Sequence, residues 1–166
     1  MSTKQSFPSI NDIACSWADI AITFTVGGGL TLAIEDVAAI KWSRKVEVGK
    51  QMGTSGGRIM ARTAGQISYD ASATFYRSGL SKLEDALAAV APQRGNQRII
   101  SAVAFDIMIQ HTPLGSAAIF TSKIKGCRYL GDSDDNKEGT DADQIDVTLD
   151  PIEVVRIKNG VEIVLL

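Results

Sequence analysis

Between residues 67 and 76 every second side chain is apolar: Ile67, Tyr69, Ala71, Ala73 and Phe75 fall on one side of an extended chain, and Ser68, Asp70, Ser72, Thr74 and Tyr76 on the other. A period of two sorts residues onto the two faces of a strand, one against a core and one in polar surroundings. The same alternation returns in residues 19–26 through Ile20, Ile22 and Phe24, and in residues 99–112 through Val103, Phe105, Ile107 and Ile109. It returns again in residues 145–150, where Ile145, Val147 and Leu149 oppose Asp146, Thr148 and Asp150. Gly27 to Gly29 allow a reversal into residues 30–34, residues 37–42 continue as strand, and residues 118–130 add another, with Lys123, Lys125 and Cys127 on one side. Asn159-Gly160, between residues 152–157 and 161–165, is the strongest hairpin signal in the chain. Against these strands stands one helix, residues 78–91: Leu80, Leu83, Leu87 and Val90 make its apolar stripe, Ser81 with Glu84 offers a capping box, and Pro92 stops it. The expected fold is mainly β, a β-barrel or a sandwich of two packed antiparallel sheets with one flanking α-helix and a long extended arm.

The arm is residues 42–66. From Trp42 onward the alternation gives way to Arg44, Lys45, Lys50, Arg58 and Arg62, joined by Lys41 before them and opposed by Glu47 alone, around a tip of Gly53, Thr54, Ser55, Gly56 and Gly57. A segment with so little apolar surface cannot offset the entropy of its own ordering, so something else has to hold it. The simplest geometry is a two-stranded excursion, residues 41–50 going out and 58–66 coming back. Such an arm reads as an assembly device.

The rest of the composition mainly excludes. A chain of 166 residues suits one domain, here residues 1–166 with the C-terminal hairpin at 151–166. A formal net charge of −2 is wrong for a protein whose affinity comes from neutralising phosphates. Cys15 and Cys127 are too few for a disulfide framework and lack metal-site spacing, which leaves small buried thiols or one disulfide. No apolar run reaches the roughly 18 residues of a membrane span, and MSTKQSFPSI lacks the basic start and apolar core of a secretion signal, so folding in a reducing cytoplasm is expected. The single histidine, His111, has no neighbouring nucleophile signature, and neither glycine cluster precedes a helix as a phosphate cradle would. No catalytic residues, metal ligands or cofactor are expected.

One acidic stretch needs separate treatment. Asp132, Asp134, Asp135, Glu138, Asp141 and Asp143 are opposed by Lys137 alone. Asp132-x-Asp134-x-Asn136 copies the first half of a calcium loop, but Lys137 stands where the turn glycine belongs and Asp143 where the bidentate glutamate does. A solvated loop held by Asx turns is the simpler reading. Complementarity between this loop and the basic arm of another copy is a further one, and it would set register in a homo-oligomer.

The hairpin around GGGLTLAIEDV, the arm IKWSRKVEVGKQMGTSGG, the return RTAGQISYDASATFY with a helix directly after it, and the acidic EGTDADQIDVTLDPIEV before an asparagine-glycine turn resemble a bacteriophage tail tube protein. The resemblance runs over nearly the whole chain in element order. It implies a β-barrel-like domain that forms hexameric rings, stacked into a hollow tube for genome delivery, with the arm reaching a neighbouring ring. It also implies partners: copies of itself, tape measure, baseplate and tail terminator proteins, and a sheath if the tail contracts. DNA would pass without sequence-specific binding, and the protein would sit in the virion tail after assembly in the host cytoplasm, without membrane insertion. Inner tubes of contractile injection and type VI secretion systems share the fold and are the nearest alternative. An alternative of another class is a monomeric ligand-binding β-barrel with the arm as its lid. For a tube, the polar faces of two strands are the lumen candidates: Asp70 and Ser72 on one, Asp146 and Asp150 on the other. The same faces would otherwise simply meet solvent.

Overall fold

A computed structural model describes residues 20–27, 30–54, 56–63, 65–112, 120–136, 138–139 and 141–164. The expectations for residues 1–18 with Cys15, for the turn at 113–116 and for Lys137 lie outside these residues. The alternating segments pair as antiparallel strands. The hairpin β1 (Ile20–Val26) and β2 (Leu30–Ala33) is followed by β3 (Val37–Glu47), and the arm carries β4 (Lys50–Met52) and β5 (Ile59–Arg62). Then come β6 (Gln66–Tyr76), helix α1 (Arg77–Val90), the two-residue strands β7 (Gln93–Arg94) and β8 (Gln97–Arg98), and β9 (Phe105–His111). The long β10 (Phe120–Asp134), β11 (Gln144–Asp150), β12 (Glu153–Lys158) and β13 (Val161–Ile163) complete the chain.

Nine strands form one curled sheet in the order β2-β1-β9-β10-β11-β6-β3, with β12 and β13 joined to β10. The two expected sheets therefore share a strand. The first part of β10 pairs β9 and β12, and the second part pairs β11. The change of partner falls where the register shifts between Ile124 and Cys127, at Gly126, whose φ of +63° few other residues adopt. A second irregularity, between Tyr129 and Gly131, leaves Leu130 unpaired and exposed. Bulges of this kind bend a strand, and the bend folds the sheet onto itself.

Inside lie the apolar faces that the alternation defines. Phe24, Phe75 and Phe105 meet at the centre, with ring centroids 5.8 and 6.3 Å from Phe24, among Ile107, Ile124, Val147 and Val154. Helix α1 covers one side of this core with Leu80, Leu83 and Leu87. It starts at Arg77, and its N-cap residue, Tyr76, supplies no side-chain bond, so Ser81 lies inside the helix and the expected capping box does not form. Asp36 takes over part of that task. Its carbonyl accepts from the Tyr76 N–H at 3.0 Å, and its carboxylate accepts from the Ser78 hydroxyl at 2.8 Å and from Lys82 at 3.3 Å, which holds it below the usual carboxylate range. The expected strand over 99–112 is also shorter, because residues 100–102 form a 3-10 turn before β9. The hairpin at Asn159-Gly160 has φ values of 52° and 76°, the paired left-handed residues of a two-residue turn that matches strand twist. Cys127 is a buried free thiol, pushed up to about 12 first by desolvation and then by Asp106 and Asp150. Among the described residues no helix is long and apolar enough to cross a membrane.

Candidate functional site

The arm is built as an extension of the barrel. β3 and β6 pair without interruption from Ala39 and Thr74 to Glu47 and Gln66, so its first part is sheet. Trp42 and Ile40 pack on the core. Trp42 and Arg44 thus stand on the β3 part of the two-stranded excursion, and the separate ribbon starts after Glu47. There the ladder stops at two glycines packed against opposite strands. A Cβ on Gly65 would run into the Glu47 carbonyl, and one on Gly49 into the Thr63 hydroxyl. Beyond them β4 and β5 form a separate two-stranded sheet, held at its ends by Thr63 N–H to Gly49 O (2.9 Å) and Gly53 N–H to Arg58 O (2.9 Å). Val48, Met52 and Ile59 are exposed on this ribbon, as are Lys50, Arg58 and Arg62. The tip glycines Gly56 and Gly57 have φ of +76° and +62°.

The two strands proposed for the lumen turn out to be neighbours. Thr74 faces Asp146 and Ser72 faces Thr148 across the β6–β11 ladder, and the Thr74 hydroxyl donates to Asp146 at 2.6 Å. Asp70, Ser72, Asp146 and Asp150 therefore share one exposed sheet face. On one flank β3 adds Lys41 beside Ser72, Ser43 beside Asp70 and Lys45 beside Ser68; on the other β10 adds Arg128 beside Asp150. The face is thus mixed in charge, where the sequence of β6 and β11 alone read neutral to acidic. Its cations come from strands whose place beside β6 and β11 no local pattern reveals.

The acidic stretch is shorter as a loop than its composition suggests, since Asp132 and Asp134 belong to β10. Asp132 pairs with Val147 and Asp134 with Ile145 in the β10–β11 ladder, and both aspartates are exposed. Arg77, the first helical residue, reaches both ends of the loop. Its Nη2 donates to Asp134 at 2.9 Å and to the Asn136 side chain at 3.0 Å, and stands 3.7 Å from Asp143. Sequence reasoning passed over Arg77, whose adjacency to Tyr76 at the end of a strand beside β11 was the available signal. Glu138 and Asp141 remain exposed around a concavity of about 600 Å³ with Asp135 and Asp143. Nearby, burial and then the Asp132 and Asp85 charges raise the Glu84 carboxyl, and burial first, then Asp132 and Glu84, raises the Tyr129 phenol.

One further feature has no counterpart in the sequence reading. Between β3 and β12–β13 the barrel closes without a ladder. Arg44 donates to the Ile163 carbonyl at 3.1 Å, and the Arg156 guanidinium lies over the Trp42 ring, 5.1 Å from its centroid. Behind this seam opens a cavity of about 670 Å³, walled by Ile20, Ile40, Trp42, Ile109, Phe120 and Ile163. His111, Arg156 and Lys158 also line it, and among the described residues no carboxylate does.

No protein-family model matches the chain, and no curated protein matches its sequence. Solved structures do match its fold. A chain of the anti-feeding prophage baseplate aligns with TM-score 0.62 at 14% identity, covering 95% of this chain and 100% of that one. A chain of the sheath–tube complex of an extracellular contractile injection system, PVC, in its extended state aligns with TM-score 0.57 at 15% identity, covering 82% and 88%. Hcp1 from the E. coli EAEC 042 pathovar aligns with TM-score 0.51 at 10% identity, covering 89% and 95%. The chain shares its fold with these baseplate, sheath–tube and Hcp1 chains.

Proposed function

We propose that this protein is a tube subunit of a phage tail or a tail-like injection particle, forming hexameric rings that stack into a hollow conduit. The observation that carries this reading is the arm beyond Glu47. It is a β-ribbon, cationic and partly apolar, that joins no other strand among the described residues. Exposed apolar residues on a projecting ribbon are stable in water only at a cost that a neighbouring copy removes. The fold shared with baseplate, sheath–tube and Hcp1 chains supports the same class of assembly. In this reading the conduit serves genome delivery in a phage and cargo delivery in a contractile injection system. Tape measure, baseplate, terminator and, in a contractile particle, sheath proteins complete the set of partners.

Native mass spectrometry and negative-stain microscopy over a concentration series test the reading. Rings or tubes are expected to accumulate as concentration rises. A protein that stays monomeric at every concentration and salt is not a tube subunit.

A further inference from the structure

The cavity behind the β3–β12 seam is lined on its inner side by successive rows of the sheet. Ile22, Ile109, Ser122 and Arg156 form one row, and Ile20, His111 and Phe120 the next. The core cluster reaches the first of these rows with Ile22 and Ile109; at the end of that row the exposed Arg156 guanidinium lies over the Trp42 ring instead of an apolar side chain. Arg156 and Lys158 have no carboxylate within ion-pair reach among the described residues. An apolar hollow edged by unpaired cations is complementary to an apolar side chain carried between carboxylates.

The chain itself carries such a group. Ile152 is 73% exposed, the most exposed large apolar residue among those described, and it sits between Asp150 and Glu153 with only the buried Pro151 intervening. Its position is rigid: the Ile152 N–H donates to the Lys125 carbonyl at 3.0 Å, and its side chain lies over Gly126, where a Cβ would come within 2.7 Å of Cδ1. A pre-ordered, exposed apolar residue is the kind of anchor that dominates an interface. It cannot reach the cavity of its own chain. Glu153 pairs with Lys125 at one end of the β10–β12 ladder, and the cavity residues Ser122 and Arg156 lie toward the other. Four strand residues place Ile152 about 13 Å from Arg156, the ladder partner of Ser122.

We propose that Ile152 of one copy seats in the cavity of another, with Asp150 and Glu153 facing Arg156, Lys158 and His111. The two patches differ, so the contact is heterologous, and a heterologous contact repeats from copy to copy into a ring or a filament. The proposal rests on the tube reading and adds to the arm a second contact between copies.

Its test is a cross-link in the full chain with Cys15 replaced by serine and cysteines placed by Ile152→Cys and Ser122→Cys. Disulfides require Cα atoms within about 7 Å, so this pair can close only between copies. The expected result is a ladder of covalent oligomers upon oxidation of assembled protein, with each variant that carries only one of the two introduced cysteines giving none, the buried Cys127 being common to all. Ile152→Asp is expected to fold, as an exposed site allows, and to lower assembly at least tenfold, whereas Ile152→Val retains it. Tubes that form with neither the ladder nor the Ile152→Asp loss overturn the proposal and leave the tube reading standing. Absence of any ring or tube from the unsubstituted protein overturns both.

Discussion

The guanidinium of Arg156 lies 5.1 Å from the centroid of the Trp42 ring, across a seam between β3 and β12 that no strand ladder of the described residues closes. With the Arg44 bond to the Ile163 carbonyl it makes β3 the closing stave of the barrel as well as the root of the arm. Trp42→Ala is therefore expected to lower unfolding stability by about 2–3 kcal/mol, since a half-buried indole leaves both packing and cavity terms behind. Arg156→Ala should cost roughly 0.5–1 kcal/mol, the range of an exposed cation–π contact. Urea unfolding of the two variants measures this. Unchanged stability in Trp42→Ala would return Trp42 to the free arm.

Deleting residues 53–57 removes the tip of the β4–β5 ribbon, whose described residues are not part of the core cluster, and loop tips tolerate such changes. The barrel should keep its far-ultraviolet circular dichroism spectrum and melting temperature while ring stacking is lost. A collapse of the fold on this deletion would mean that the arm is part of the core.

Much of this molecule was legible in its sequence, and the misses share a cause. Period-two patterning located the strands and the core face, because burial of one face is written residue by residue; Phe24, Phe75 and Phe105 were on the correct sides before any pairing was known. The helix was placed within one residue at each end. Which strands become neighbours is not written that way. That β6 lies between β3 and β11, bringing Lys41 beside Ser72 and Asp146 beside Thr74, follows from long-range pairing. Trp42 read as arm because the cations after it outweighed the apolar positions before it, although the ladder carries it inside. Arg77 and Arg156 were invisible for the same reason: each acts on residues far away in sequence, Asp134 and Trp42.

Charge should help assemble copies, with fewer groups than the composition offers. Arg44 is engaged with Ile163, and Lys45 with Glu47 at 3.1 Å, which leaves Lys50, Arg58 and Arg62 on the free ribbon. Arg77 already holds Asp134 and Asp143, so Glu138 and Asp141 are the outward acidic partners in this scheme. Single exposed pairs are worth about 0–1 kcal/mol, so only their sum matters, and it falls as salt rises. Tube yield by sedimentation should drop between low and high salt, and Arg77→Ala, by loosening the loop, should lower it further at each salt. Yield that holds or grows with salt would assign the interface to apolar contact.

Glu84 supplies a pH dependence of definite sign. Burial and the neighbouring Asp132 and Asp85 raise its folded-state value above the ordinary carboxylate range. Unfolding lets it ionise at lower pH, so as pH rises through this interval the native state holds the extra proton and stability falls. Asp36 and Glu162 work oppositely: their lowered values give stability above the ordinary range that is lost on acidification. Glu84→Gln should thus melt higher than the unsubstituted protein at neutral pH, with the gain vanishing below the ordinary glutamate value. A gain that persists at low pH would have a cause other than the carboxylate charge.

The last prediction concerns the polar face of β3, β6, β11 and β10. A wall along which a polyanion slides has to avoid net positive charge, because cations that neutralise phosphates bind them and release counterions. On this face Lys41, Lys45 and Arg128 are set among Asp70, Asp146 and Asp150, a balance that the β6–β11 strands hold against their flanks. Asp70→Lys with Asp146→Lys reverses two of those charges, each reversal adding two positive units to a surface already carrying three cations. Both residues are exposed, so the barrel should fold, although the Thr74 hydroxyl loses its 2.6 Å acceptor on Asp146. If the face lines the conduit of a DNA-carrying particle, assembly continues while ejection slows and particles retain genome, the more so at low salt. If the face meets solvent or an outer layer instead, ejection is normal, and genome release measured on assembled particles decides between the two.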